Sequence, residues 1–157
     1  MNEDALPPVR FRPRRTRVVA WLAAAVTLLA AVGLAAALSG PIGDTPAVFG
    51  TADRVAMVGL GAIGAVALLS LTRPLVEADA EAIRVRNVVG GGTFSWSDVQ
   101  AVRFDRGASW ATLELVDGEA IGVLAVQAVD RQHAVAAVRA LRARHSAYHR
   151  RAGRPSG

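Results

Sequence analysis

Cysteine is absent from the 157 residues, and so is lysine: all 18 basic residues are arginine. The first absence excludes disulfides, thiolate metal sites and cysteine nucleophiles, while leaving the redox compartment open. Charge is scarce too. Only 20% of residues are charged against 52% apolar, too apolar a balance for an ordinary soluble protein of this length. Acids are missing from the last stretch, 139–157, which holds six arginines, and are outnumbered at the start, where residues 1–17 carry five arginines against Glu3 and Asp4. Basic flanks beside apolar runs point to anionic lipid headgroups and membrane topology before nucleic acid, and no nucleic-acid partner is expected.

What is present is concentrated in two runs. Val18 to Leu38 contains one polar side chain, Thr27, and Val55 to Leu71 only Ser70. As helices they measure about 31 Å and about 25 Å, against a hydrocarbon layer of about 30 Å. Neither alternates apolar and polar faces, so each needs an apolar environment all round. The expected plan is a basic segment 1–17, a membrane helix 18–38, a short external loop 39–54, a second membrane helix 55–72, a soluble domain 73–148 and a flexible basic tail 149–157. The arginine distribution puts both termini in the cytoplasm of a multi-pass protein of the cell membrane. A cleaved signal peptide is the rival for the first run, but its apolar stretch is longer than the usual h-region.

Val58-Gly59-Leu60-Gly61-Ala62-Ile63-Gly64 contains G-x-G-x-x-G, with Asp79 at a spacing that ribose recognition favours. The following helix would show water nothing but Ser70, and no further βα units follow, so a nucleotide-binding enzyme is the less favoured alternative. Gly61 and Ala65, at small-xxx-small spacing, are instead candidates for helix packing. That packing gives a second alternative, a structural subunit of a membrane assembly or homo-oligomer.

After Arg73-Pro74 the pattern becomes that of strands. Ala82 to Val88 alternates, with Ile83 and Val85 opposite Arg84 and Arg86. Gly90 to Gly92 make a turn, Thr93 to Trp96 a short strand, Ser97-Asp98 a corner, and Val99 to Asp105 alternates again around Val102 and Phe104. Trp110 to Val116 and Glu119 to Leu124 flank Asp117-Gly118, read as a type I′ hairpin turn with Leu113 and Leu115 inward. Asp130 is placed to N-cap a helix to about Tyr148, with Val135, Val138, Leu141 and Tyr148 inward and Arg139, Arg142 and Arg144 on the other side. Antiparallel strands followed by one helix make an α+β domain.

The order Arg73-Pro74, Glu77-Ala78-Asp79, Ile83-Arg84-Val85-Arg86-Asn87, Trp96-Ser97-Asp98-Val99 and Val102-Arg103-Phe104, with the hairpin and final helix, resembles a bacterial pleckstrin-homology (PH) family. The likeness, over about 72–146, is to actinobacterial membrane proteins typified by low molecular weight protein antigen 6. It implies a bent antiparallel barrel with one end plugged by the C-terminal helix, although about six strands are visible where a PH domain has seven. No activity, cofactor or ligand-binding residue transfers with it.

Trp96 and Trp110 are expected to fill core or brace a corner, and Asp98 to bond backbone amides there. His145 and His149 are four apart, a metal-compatible spacing without a third ligand. Ser95 and Ser109 have no partnered base. No catalytic, metal or cofactor residue is assigned. Arg84 and Arg86 on one strand face, and Arg150 and Arg151 at the helix end, are the candidates to touch anionic headgroups or a protein partner. The expectation is a non-enzymatic, membrane-anchored interaction module.

Overall fold

The computed structural model describes residues 6–38 and 50–153. Most of the expected external loop and Arg154 lie outside them. The chain divides into two units: the described residues of Met1–Arg15 and Arg73–Gly157 form one, and those of Thr16–Thr72 the other.

The second unit consists of two helices, both long and apolar enough to cross a membrane. α1 (Arg14–Ala37) begins four residues before the apolar run and α2 (Thr51–Ser70) begins four before its own. The start of α2 follows from its cap: the Gly50 amide donates to the Asp53 carboxylate at 2.9 Å, which satisfies one orphan group of the first turn. Between the helices, a Cβ at Gly61 would collide with the methyl of Ala31, and Gly64 lies against Thr27. Glycine permits this close approach. Outward, Leu22, Leu29, Leu60, Ile63 and Val66 are each more than 60% exposed, an aliphatic surface of the kind that marks a contact with membrane or with another protein.

The other unit is built of seven strands and a helix. β1 (Val9–Phe11), β2 (Leu75–Ala78), β3 (Ala82–Arg86) and β4 (Gly91–Ser95) form one antiparallel sheet in that order. β5 (Val99–Arg103), β6 (Trp110–Leu115) and β7 (Ala120–Gln127) form a second, also antiparallel. A 3₁₀ turn (Ala128–Asp130) leads into α3 (Gln132–Ala152). The core runs from Val76, Ile83 and Val85 through Trp96, Val102 and Leu113 to Val123, Val126, Val138 and Leu141.

Strand β1 is the main departure from the sequence reading, which assigned 1–17 to a basic segment. Val9 faces Ala78 and Phe11 faces Val76, and both Val9 and Phe11 pack on the core. Since β1 precedes α1 and β2 follows α2, the helical pair is an insertion between two paired strands of one domain. The seventh strand of the domain therefore comes from the far side of both apolar runs.

Local details depart as well. Gly118 has φ +88° while Asp117 keeps a negative φ, and the Gly118 amide donates to Leu115 O at 3.0 Å. This is a type I turn closed by a left-handed glycine, not type I′. Asp130 does not cap α3. Arg131, at φ +42°, lies outside the right-handed region and delays the helix to Gln132. The α3 face is turned from expectation: Ala134, Ala137, Val138, Leu141, Arg144 and Ala147 are buried, whereas Val135 is exposed. α3 also continues through Arg150 and Arg151, where a frayed tail was expected.

Candidate functional site

Two buried polar residues tie the N-terminal segment into the domain. The Asp130 carboxylate accepts from the amides of Arg14 and Arg15 at 3.1 Å each, the first two residues of α1. The acid read as a cap for α3 thus caps α1. Arg144, 5% exposed, donates to Ala140 O at 2.9 Å and to Pro7 O. Burial holds its pKa below the usual arginine value. Both residues hold structure.

Trp96 is fully buried, its indole N–H donating to Asp79 O at 3.0 Å. Trp110 departs from the core role: it is 47% exposed and lies over Gly122. The corner amides of Glu81 and Ala82 are taken by Asp79 Oδ1 at 2.9 Å, while Asp98 accepts from the Ser97 hydroxyl. His145 and His149 do meet, ring centroids 4.5 Å apart, but His145 Nε2 is engaged with Val99 O at 2.8 Å. Among the described residues no group of three His, Asp or Glu is placed to hold a metal ion. The G-x-G-x-x-G glycines lie inside α2, away from any strand–turn–helix that could cradle a phosphate.

The polar face that remains is the outside of the first sheet. Pairing register sets four side chains in a row across it: Arg10 opposite Glu77, Glu77 opposite Arg84, and Arg84 opposite Thr93. Arg10 and Glu77 form an ion pair at 3.1 Å. That leaves Arg84 without an ion pair among the described residues. It borders two adjoining hollows, one of about 520 Å³ shared with Arg10, Glu77 and Thr93, the other of about 290 Å³ against Arg86 and Gly90 to Gly92. Arg86 also lies on this face and donates from Nε to Arg73 O at 3.3 Å. Chemically the face offers arginine side chains that can bind an anion, with the Glu77 carboxylate already paired to Arg10.

Arg151 is elsewhere. Its guanidinium donates to Ala80 O at 2.7 Å and sits 3.7 Å from Glu81, so it anchors the end of α3 to the β2–β3 turn. Arg150 is exposed beside it. The structure therefore separates the two arginine pairs: Arg84 and Arg86 share the sheet face, while Arg150 and Arg151 stand by the β2–β3 turn. Arg10, Glu77 and Thr93 were not singled out in the sequence; only register unites them.

The sequence profile described as a bacterial PH domain matches residues 73–144. Three curated relatives, the uncharacterized proteins Rv1417 and MT1460 of Mycobacterium tuberculosis and Mb1452 of Mycobacterium bovis, are each 41% identical over 140 residues. The matched stretch is 87% of this chain and 90% of each relative. No solved structure gives a match. Two sheets and a closing helix agree with the profile, and the likeness to the relatives covers most of the chain. The chain belongs to the family of these mycobacterial proteins, its residues 73–144 matching a bacterial PH domain.

Proposed function

We propose that this protein is a non-enzymatic interaction module held at the cytoplasmic face of the membrane. α1 and α2 span the bilayer as a hairpin, and the PH domain beneath them engages anionic headgroups or recruits a protein partner through the outer face of its first sheet. One observation carries the reading: two helices of membrane length are inserted between β1 and β2, so the domain is tethered at both ends of the insertion. The arginines before α1 and after α2 support the cytoplasmic side. The nearer likeness to the low molecular weight protein antigen 6 group belongs to the same proposal.

The test uses the full chain in cells, with a photo-crosslinking residue in place of Arg84. The protein should stay with membranes through alkaline carbonate extraction, and irradiation should give one discrete adduct, of lipid or of protein size. Release by carbonate would remove the anchor. Clean extraction behaviour with no adduct would remove the interaction role.

A further inference from the structure

The β3–β4 turn breaks a local rule. Asn87 N donates to Gly90 O at 3.1 Å, which leaves Val88 and Val89 as the two residues at the tip. The left-handed backbone of this turn falls on Gly90 and Gly91, at φ +74° and +133°, but a tip standing in water ordinarily takes polar residues. Here they are β-branched aliphatics, and Val89 is 88% exposed, more than any other large apolar residue of the described chain. Val88 is half-buried, but an aliphatic side chain held as far into water as Val89 points to a partner. The turn is firmly placed: Asn87 donates to Gly122 O at 2.8 Å and accepts from the Leu124 amide at 3.2 Å.

Register states where this tip lies. Arg86, the last residue of β3, pairs with Leu75, the first of β2, and Val76 pairs with Phe11, the last of β1. The turn therefore extends from the same end of the sheet at which the chain departs for α1 and returns from α2. Three residue steps join Phe11 to Arg14 and five join Ser70 to Leu75, at most about 11 Å and about 18 Å of chain. Arg73 and Arg86 flank that end, Arg84 stands one row behind, and no acid occurs from Ala82 to Ser97. The acids Asp79 and Glu81, with docked Arg151, mark the opposite end.

We propose that Val88 and Val89 dip into the interface of the protein's own bilayer, with Arg73 and Arg86 on the phosphates of anionic lipids around them. Aliphatic tips gain from the apolar boundary and arginines from the negative surface potential, each within reach of the other. This rests on the reading of α1 and α2 as membrane spans.

The cysteine-free chain permits a direct test. Full-length V89C, and E81C as the control from the opposite turn, would carry an environment-sensitive fluorophore in vesicles of phosphatidylcholine with and without phosphatidylglycerol. Position 89 should emit blue-shifted light and be quenched by lipids spin-labelled near the headgroup, more strongly with phosphatidylglycerol, while position 81 stays water-like. Arg86→Gln should reduce the phosphatidylglycerol increment. Water-like emission at 89 from protein that remains embedded would overturn the proposal and leave the anchored module standing. Equal quenching in both lipids would overturn the arginine contacts. Protein that leaves the vesicles altogether would defeat the span reading itself.

Discussion

At the scale of single residues, the two tryptophans in this small domain do different work. Trp96 is fully enclosed and Trp110 half in water. Trp96→Ala should cost about 3–5 kcal/mol, the usual range for emptying a buried aromatic site. Trp110→Ala should cost below about 1.5 kcal/mol, in proportion to the smaller area it covers; denaturant titration of the solubilised chain separates the two. Asp130 gives a second prediction. Its carboxylate takes two amides of the first turn of α1, and Asp130→Ala should lower stability by about 1–2 kcal/mol. That is a fall of roughly 4–8 °C in Tm per kcal/mol for a domain of this size. Had Asp130 capped α3, amide exchange would quicken at Gln132 and His133; capping α1, its loss should quicken exchange at Arg14 and Arg15. Arg144 shows why such roles are hard to read from sequence. An arginine on a basic helix reads as solvated, and its acceptor, Pro7 O, lies 137 positions away.

At the scale of elements, β3, β5 and β6 were legible because each alternates with one face buried, and α3 because its apolar positions recur at helical spacing. The outward pair Arg84 and Arg86 was legible through the alternation of β3. β2, buried at three of its four positions, shows no alternation to read, and β4 begins at Gly91, inside the stretch read as a turn. β1 was not legible at all. Val9-Arg10-Phe11 is three residues between prolines in an arginine-rich stretch, too short for periodicity to register, and its partner stands beyond two apolar runs. Arg10, Glu77 and Thr93 escaped notice with it, since a row across a sheet exists only once register is known. The turn at Asp117-Gly118 was located correctly but mistyped, because Asp-Gly serves both type I′ and the glycine-bulged type I turn. The missing strand carries a third prediction. A chain joining residues 6–13 to 73–153 by a short Gly-Ser linker should be soluble and melt cooperatively, whereas 73–153 alone should lose the core cover of Val9 and Phe11 and melt lower. Equal melting of the two would mean that β1 adds nothing to the fold.

At the scale of the whole molecule, the pairing of β1 with β2 constrains topology. Paired strands lie on one side of any bilayer, so, on the proposed reading of α1 and α2 as spans, the segment between them must cross an even number of times. Removal of the first helix as a signal peptide would also carry off β1 and strip the cover from β2. An insertion of this kind joins the helical pair to the domain by two short connections: α1 begins three residue steps after β1 and α2 ends five before β2. The most direct test of that arrangement places cysteines at Arg10 and Glu77, opposite one another in register, in a chain that has no other. On mild oxidation in native membranes, R10C/E77C should form an intrachain disulfide, since directly opposed strand positions lie within bridging distance. The linked peptides from residues 10 and 77 should appear together in the monomer band by mass spectrometry. Free thiols, a bridge found only between two chains, or a mature protein lacking residue 10 would contradict the inserted hairpin.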